Sequence, residues 1–349
     1  MSTGDQLEGL VLRRATRGDD PGMRALNAAV FANNPKERAE VTRWQWWENP
    51  FGETLAWVWE DAGRVVAQTV AFCAAGAIGG ERCTFAFGVD GAVARSHQGR
   101  GLFSRLWAAL ARDVIEHGRV FLAYPNERSL QGTIRGGWLK VAEPNVYALV
   151  TSDRWLASRL GVPRFLARAG RSVASRLRRP RGGSAATAVA SVPEDLDELW
   201  GAVAGRWGTG VIRDRRWWRW RYESHPDRPY RYLTVRDDGR LSAVAAVRPG
   251  HPLVGGHFHC ILEMLALGED PARAVVAALV DGAIADADGI ALLGLPGSPL
   301  EDAGVATGMR RVPARLHRPV RFGVVPHPRL LPDPAGVRWS VAWGDLDHL

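Results

Sequence analysis

The chain repeats its own order of predicted elements, and this repetition limits the folds open to its 349 residues. In each half, two helices come before a hairpin, a further strand, a long helix, a buried strand and a short helix. Matching positions keep an offset of 171 to 176 residues: Gly63-Arg64-Val65 corresponds to Gly239-Arg240-Leu241, and Pro125 corresponds to Pro296. The sequence therefore predicts a tandem duplication of one unit that contains both helices and strands.

The net charge of +8 belongs to one segment of the chain. Nine arginines lie within 154–181 without an aspartate, glutamate or lysine among them, so the rest of the chain is close to neutral. The last predicted strand of the first repeat, Lys140–Val150, ends shortly before this segment. We therefore place a first domain at 1–152, an arginine-rich linker at 153–186 and a second domain at 187–349.

The arginines of the linker alternate with apolar residues, which is a basic amphipathic pattern. We favour a helix that covers the protein body and keeps its arginines at the surface. Binding to an anionic membrane surface through Arg154–Arg181 is one alternative, and binding to RNA is another. Because no RNA-binding, zinc-finger or helix-turn-helix signature accompanies the segment, we expect no nucleic-acid partner.

The cysteines indicate neither a metal site nor a disulfide framework. Cys73, Cys83 and Cys260 form no Cys-x-x-Cys pair, so we expect no zinc and no other metal. The first ten residues show no basic segment followed by an apolar one, and no apolar run reaches the roughly 18 residues of a membrane span. We therefore expect a cytoplasmic protein.

The segment from Val93 to Phe103 carries the clearest functional signal. A strand ends near Val93, and a helix begins at about Gly101, after Gln98-Gly99-Arg100. Glycines let the backbone approach a phosphate closely, and the start of a helix adds partial positive charge. The sequence therefore predicts an anion-binding turn, although it lacks the Gly-Lys-Ser/Thr of a Walker loop.

This turn resembles the pyrophosphate-binding signature of the GNAT acyl-CoA N-acyltransferases. That signature is Gln/Arg-x-x-Gly-x-Gly/Ala, and it is read here at Gln98, Gly101 and Phe103. Downstream, Asn126-x-x-Ser129 resembles a second sequence block of the same superfamily. The resemblance is strong in the first repeat and weak in the second.

The resemblance implies a fold, a donor and an acceptor. Each half would be a GNAT-like domain of the α/β (α+β) class, with a mixed, largely antiparallel central sheet flanked by helices, and the second domain would be degenerate. The donor would be acetyl-CoA, bound where the fourth and fifth strands separate, and the acceptor would be a small-molecule amine. The resemblance assigns the following residues to donor binding: Ala92, Val93, Gln98, Gly99, Arg100, Gly101, Leu102, Phe103, Asn126 and Ser129.

Two departures from the family pattern bear on the site. Phe103 replaces the third small residue of the signature, and we interpret it as a core side chain on a working helix. Thr133 stands where the family often has the tyrosine that protonates the departing thiolate, and a threonine hydroxyl has too high a pKa for that role. Tyr124 or a water molecule would take its place, or transfer would rely on positioning of the amine against the thioester.

Asp90 is the candidate base for the attacking ammonium group. It lies three residues before Val93, so regular alternation along the strand would turn its side chain towards the cleft. A β-bulge would remove that argument, and a structural aspartate is the alternative. Asp345 and Asp347, further along the chain, are alternative carboxylates.

The second repeat lacks the glycine turn. Its equivalent segment, Leu267-Gly268-Glu269-Asp270-Pro271, would place two carboxylates beside a pyrophosphate, and their charge would repel CoA.

We therefore expect an N-acetyltransferase whose first domain moves an acetyl group from acetyl-CoA to a primary amine. A Fem-like transferase that uses aminoacyl-tRNA is one alternative, which the intact Gln98–Gly101 turn disfavours. A non-catalytic CoA-binding or scaffold protein is the other, motivated by Thr133.

Overall fold

The chain forms two units, each built around one β-sheet. The computed structural model describes residues 6–7, 9–32, 34–160, 184–227, 230–253 and 255–346. The strands, numbered in chain order, are β1 (Gln6–Leu7), β2 (Leu10–Arg14), β3 (Leu55–Asp61), β4 (Arg64–Ile78), β5 (Glu81–Val93), β6 (Val120–Ala123), β7 (Leu139–Ala142), β8 (Asn145–Val150), β9 (Thr187–Val189), β10 (Gly210–Val211), β11 (Arg231–Asp237), β12 (Arg240–Leu253), β13 (Gly256–Ala266), β14 (Gly289–Gly294), β15 (Arg310–Arg311) and β16 (Phe322–Val325).

Helices connect these strands in the order that the repeats predict. The α-helices are α1 (Asp20–Val30), α2 (Ala39–Thr42), α3 (Leu102–Glu116), α4 (Glu127–Arg135), α5 (Asp153–Leu160), α6 (Leu196–Trp207), α7 (Arg215–Trp218), α8 (Glu269–Asp286) and α9 (Pro299–Ala306). Short π-helices extend α2 and α7, over Arg43–Trp47 and Arg219–Glu223. Single 3₁₀ turns lie at Arg17–Asp19, Pro35–Glu37, Arg95–His97, Ala314–Leu316 and Trp343–Asp345.

The sheet of the first unit runs in the order β1-β2-β3-β4-β5-β6-β16-β7. Neighbouring strands are antiparallel except β5 and β6, which are parallel. Residues 66–74 of β4 are all buried, because helices cover both faces of the sheet. This explains why their sequence, VAQTVAFCA, shows no alternation of polar and apolar residues.

Helix α3 covers one face of this sheet through the apolar stripe that its sequence predicts. Leu102, Leu106, Leu110 and Val114 recur every four residues, and each is buried. The first two pack against Trp59 of β3. Burial of an aliphatic side chain of this size contributes roughly 1.5–3 kcal/mol before entropic costs, so the stripe fixes α3 firmly on the sheet.

Helix α1 and the first π-helix cover the opposite face. Met23 and Trp46 are buried there against Ala56, Val58 and Val70 of the sheet. Side chains at 56, 58 and 70 share this face because alternate residues of a strand point to the same side. The two faces of the sheet are therefore occupied by different helices, which come from different stretches of sequence.

The sheet of the second unit runs in the order β15-β8-β14-β13-β12-β11-β9. Only β13 and β14 are parallel, and every other neighbouring pair is antiparallel. The parallel pair occupies the position in this repeat that β5 and β6 occupy in the first. The predicted fold class, mixed and largely antiparallel sheets flanked by helices, is confirmed.

Each sheet contains one strand from the opposite half of the chain. β16, the last strand of the second repeat, lies between β6 and β7 in the first sheet. β8, the last strand of the first repeat, lies between β14 and β15 in the second sheet. The two repeats therefore exchange their last strands.

This exchange changes the boundaries that the sequence suggests. In the structure, the first unit ends at Glu143 and not at residue 152. It also includes Val320–Val337 from the end of the chain. The single strand expected over 140–150 is instead two strands in two sheets. The break falls at Glu143-Pro144, because proline has no N–H group to donate to a sheet.

Most of the predicted linker, 161–183, lies outside the described residues, and so does Asp347. The described part consists of α5 before the gap and 184–186 after it. Within the described ranges, no helix has both the length and the apolar character needed to cross a membrane.

We predict that one methyl group added to β16 destabilises the first unit. A Cβ atom at Gly323 would lie 2.1 Å from the backbone oxygen of Leu139 and 2.5 Å from the Trp138 ring. Because β16 is held between two strands, Gly323→Ala is expected to lower the free energy of unfolding by about 1–3 kcal/mol. Urea unfolding measures this change.

The matched control is Gly201→Ala in α6. A Cβ atom at this helical glycine would have no neighbour within 4 Å. The substitution is expected to leave stability unchanged or to raise it by up to about 1 kcal/mol, because alanine is the better helix former. Equal destabilisation by the two substitutions would contradict the central placement of β16.

Candidate functional site

The parallel pairing of β5 with β6 ends in the middle of β5. Paired residues run from Phe85 and Val120 to Gly88 and Ala123, yet β5 continues to Val93. In the described part of the chain, no strand pairs with β5 on this side after Gly88. The edge formed by residues 89–93 can therefore hydrogen-bond an extended ligand through its backbone.

A β-bulge interrupts the pairing of this part of β5 with β4, on the side opposite the open edge. Val89 and Ala92 pair with Val70 and Gln68 of β4, so β5 carries one extra residue at Asp90. Asp90 has a φ of 52°, a left-handed conformation that costs a non-glycine residue roughly 1–2 kcal/mol. The bulge breaks the alternation of side chains, so the orientation predicted for Asp90 from its distance to Val93 no longer follows.

The carboxylate of Asp90 is bound by side chains that precede β3. Its Oδ2 accepts hydrogen bonds from Lys36 Nζ at 2.7 Å and from Trp46 Nε1 at 3.0 Å. The Lys36 and Asp90 side chains are each only 6% exposed, and Lys36 Nζ also donates to Gln45 Oε1. The structure therefore places the predicted base in a buried ion pair.

Lys36 is the site residue that sequence reasoning misses. It lies 54 positions from Asp90, and no local motif connects the two. The one available signal is rarity, because Lys36 and Lys140 are the only lysines among 45 basic residues. Lys140 sits on the surface next to Glu143, whereas Lys36 is buried.

Of the two alternative carboxylates, the structure describes Asp345. It belongs to the second unit, where its Oδ2 accepts a hydrogen bond from Arg213 Nη2 at 2.7 Å. Both side chains are almost completely buried. Asp345 is therefore a buried, paired carboxylate within the second unit.

The glycine turn that follows β5 has the backbone geometry that its sequence predicts. Gly99 and Gly101 have φ values of 79° and 74°, and a Cβ atom at either position would meet no atom within 4 Å. Backbone conformation rather than crowding therefore requires glycine here. No side chain caps the start of α3, whose first N–H groups have no acceptor within the helix. This arrangement is suited to an anion.

Side chains attach the turn at two points. Gln98 donates through Nε2 to the backbone oxygen of Val93 at 3.1 Å, which ties the turn to its own strand. His97 Nε2 and Asp61 Oδ2 are 3.1 Å apart, which ties the Arg95–His97 turn to the hairpin of β3 and β4. The signature glutamine is therefore a structural element of the turn.

Phe103, which replaces a small residue of the signature, fits between two glycines. A Cβ atom at Gly91 of β5 would lie 2.5 Å from its ring, and one at Gly132 of α4 would lie 2.3 Å from it. The ring centroid also lies 6.1 Å from that of Trp107. The Phe103 ring therefore fills the space next to the two glycines. It is partly buried and packs against the edge of the core at the start of α3.

Tyr124 lies immediately after the point where the two parallel strands separate. It follows Ala123, the last residue of β6 that pairs with β5. Its half-buried ring lies between those of Phe87 and Phe322, with centroids 6.4 and 5.3 Å away. Aromatic neighbours on two sides fix the ring position of this candidate acid.

Asn126, Ser129 and Thr133 contribute to the local structure of α4. Asn126 is the N-cap, and its Oδ1 accepts hydrogen bonds from the N–H groups of Arg128 and Ser129 at 3.0 Å each. Thr133 is buried and donates to the backbone oxygen of Leu130 at 2.8 Å. The threonine at the family's tyrosine position is therefore a buried helix residue.

The second unit has separated strands but no comparable turn. The pairing of β13 with β14 ends at Ile261, and β13 continues to Ala266. Only two residues then precede α8, which begins at Glu269. The residues that line a cavity of about 420 Å³ at this point include three acids, Glu269, Glu301 and Asp302, and one base, Arg206. The excess of negative charge opposes binding of a pyrophosphate.

The described cysteines are buried or partly buried thiols. Burial raises the pKa of Cys73 and Cys83 to about 11 and that of Cys260 to about 12. These thiols are therefore almost entirely protonated at pH 8 and react slowly with thiol reagents. Among the residues that the structure describes, no group of three or more His, Cys, Asp or Glu side chains could hold a metal ion.

A comparison with known families finds a match within the first repeat. Residues 11–132 match the family described as Acetyltransferase (GNAT) domain. The match includes the open edge of β5, the glycine turn and most of α4. Residues 11–132 therefore resemble a GNAT acetyltransferase domain. A comparison with curated proteins finds no match.

Solved structures share the fold across both units. A GCN5-related N-acetyltransferase from Anabaena variabilis has a TM-score of 0.65 and 11% identity, over 90% of this chain and 72% of that chain. One from Kribbella flavida has a TM-score of 0.60 and 14% identity, over 90% and 71%. Eis1 from Mycobacterium abscessus has a TM-score of 0.52 and 17% identity, over 96% and 73%. The predicted GNAT-like fold is therefore confirmed.

We predict that Gly132 and Phe103 are energetically coupled. Gly132→Ala places a methyl group against the Phe103 ring, so it is expected to destabilise the protein by about 1–3 kcal/mol. In a Phe103→Ala background the same change is expected to cost less than about 0.5 kcal/mol, since the ring is gone and alanine favours a helix. Urea unfolding of the two single variants and the double variant gives the coupling energy. Additive effects would contradict the contact.

Proposed function

We propose that the first unit is an acyl-CoA-dependent N-acyltransferase that moves an acetyl group from acetyl-CoA to a primary amine of a small molecule. The observation that carries this proposal is the glycine turn at the start of α3, which directly follows the open edge of β5. A pyrophosphate and an extended amide chain need these two features side by side. The resemblance of residues 11–132 to a GNAT acetyltransferase domain supports the same assignment.

The donor is proposed to bind mainly through the backbone. The pyrophosphate accepts hydrogen bonds from the N–H groups of Gln98–Phe103, where the dipole of a 15-residue helix adds partial positive charge. The pantetheine arm extends along Ala92 and Val93, whose edge is not covered by β6. Asn126 is the exposed N-cap of α4, and we propose that its side chain contacts the pantetheine arm.

Transfer is proposed to proceed by direct attack. The lone pair of the neutral amine adds to the thioester carbonyl, the C–S bond breaks, and the nitrogen releases one proton to water. The products are an amide, the CoA thiolate and that proton. Tyr124 is the side chain that we propose for protonation of the thiolate, because it follows the point where β5 and β6 separate. A phenol has an ordinary pKa near 10, which is close enough to that of a thiol for proton transfer.

The first test measures binding of acetyl-CoA by titration calorimetry. Valine cannot easily adopt the φ of 74° found at Gly101, so Gly101→Val is expected to weaken binding at least about tenfold, or 1.4 kcal/mol. Gly118→Val is the matched control. Gly118 has a φ of 66°, also has open surroundings, and follows the other end of α3.

Both valine variants are expected to lose stability, because both carry the same backbone strain. Only Gly101→Val is expected to lose acetyl-CoA affinity. If the unsubstituted protein gave neither heat nor a thermal shift with acetyl-CoA, the proposed function would be wrong. A loss of affinity of equal size in both variants would instead assign the effect to general destabilisation.

The second test measures turnover with a panel of primary amines at pH 8, by reaction of released CoA with a thiol reagent. Cys73 and Cys83 add little background, since the pKa of each thiol is about 11. Tyr124→Phe is expected to lower kcat by about 10²-fold or more and to leave the Kd for acetyl-CoA unchanged. Unchanged kcat would show that Tyr124 is not the acid.

A further inference from the structure

The two units carry a buried acid at the same place on the equivalent strand. Asp90 lies two residues after Gly88, where the pairing of β5 with β6 ends. Glu263 lies two residues after Ile261, where the pairing of β13 with β14 ends. Asp90 and Glu263 are 173 positions apart, within the offsets that relate the two repeats. The acid is therefore a feature of the duplicated unit.

Each acid has the same two kinds of partner. Asp90 pairs with Lys36 and accepts the indole N–H of Trp46 at 3.0 Å. Glu263 pairs with Arg213 and accepts the indole N–H of Trp217, also at 3.0 Å. We call the first set, Lys36, Asp90 and Trp46, the acid triad of the first unit.

The cations in both units also lie over indole rings. Lys36 Nζ is 5.7 Å from the ring centroid of Trp46, and the guanidinium of Arg213 is 4.5 Å from that of Trp207. Both cations are buried. Each unit therefore encloses a carboxylate at the equivalent position of its sheet, together with a cation and tryptophan side chains from segments outside the sheet, at a considerable desolvation cost.

The second unit provides an internal reference for the role of this arrangement. It keeps the buried acid, the cation and the indole N–H, although two residues replace the glycine turn and carboxylates line the adjacent cavity. Since the arrangement is also present in the unit that lacks the glycine turn, it does not depend on a donor site. A structural role common to the two units accounts for it.

The position of the bulge shows what this role is in the first unit. Asp90 has the left-handed φ at the bulge, its side chain is held by Lys36 and Trp46, and its backbone oxygen accepts a hydrogen bond from Gln68 Nε2 at 3.4 Å. The next residues, Gly91–Val93, complete the open edge that begins at Val89. The contacts of Asp90 thus set the direction in which these backbone groups face.

We infer that the acid triad is a positioning device: Lys36, Asp90 and Trp46 hold the bulge of β5 so that the backbone groups of Gly91–Val93 face the acyl donor, and Asp90 is not the general base. The inference rests on the proposed function for the donor. It assigns the deprotonation of the amine to water or to the free-base fraction of the acceptor.

The experiment combines binding, backbone exchange and turnover in Asp90→Asn and Lys36→Met. Each variant is expected to weaken acetyl-CoA binding by about tenfold or more, because the loss of one partner of a buried pair costs several times RT. Hydrogen exchange of a peptide that covers 89–93 is expected to become faster.

The pH profile of kcat is expected to keep its shape in both variants. It is measured with the amine of the panel that is turned over fastest. Lys36→Arg, which copies the cation of the second unit, is expected to retain more affinity than Lys36→Met.

Asp113→Asn is the matched control. Asp113 is a buried carboxylate on α3, away from the open edge, and it also accepts an indole N–H, that of Trp57 at 2.9 Å. It pairs with Arg14, with 3.3 Å between the charged groups. This variant is expected to lose stability and to keep both its acetyl-CoA affinity and the exchange rate of 89–93.

Each outcome supports or overturns the inference. Unchanged affinity and exchange in Asp90→Asn, together with loss of the rise of kcat with pH, would identify Asp90 as the general base. If Asp90→Asn does not fold, Trp46→Phe removes one donor to the same oxygen and is measured in its place, with the same expectations. If the unsubstituted protein does not bind acetyl-CoA, the proposed function fails, and unchanged exchange at 89–93 in the variants would separately overturn the role of the triad.

Discussion

The separation of β5 from β6 is the constraint on which the rest of the first unit depends. Two parallel strands that stop pairing after four residue pairs leave backbone groups that need partners. Aromatic side chains pack beside the separated strands. The ring of Phe103 lies against Gly91, and the ring of Tyr124 lies between those of Phe87 and Phe322. The edge is therefore part of a rigid sheet, and a ligand that binds there meets groups already in place.

The second unit shows that the fold alone does not make the site. Its parallel strands also separate, after Ile261, but the following helix begins only two residues after the strand. The first unit has eight residues in the same place, among them Gly99 and Gly101 with left-handed backbone. A difference of six residues in one connection therefore removes the glycine turn from the second repeat, while the sheets remain alike.

Features encoded within a short stretch of chain could be predicted from the sequence. The glycine turn, the apolar stripe of α3 and the hairpin of β3 and β4 each depend on fewer than about 20 consecutive residues, where periodicity and glycine positions are informative. The ion pair of Lys36 and Asp90 could not be predicted, because its partners are 54 positions apart and buried charges have no periodic pattern. The bulge at Asp90 depends on the register against β4, which neither strand specifies by itself.

Strand order was the other feature that local patterns could not supply. β8 and β16 have ordinary strand sequences, and nothing in them indicates which sheet they join. In the structure each completes the sheet of the opposite repeat, and Phe322 of β16 contacts Tyr124 in the first unit. A duplicated gene would normally be free to lose a copy without the glycine turn. Here neither copy can be deleted without removing an interior strand from the sheet of the other, so the exchange itself preserves the second repeat.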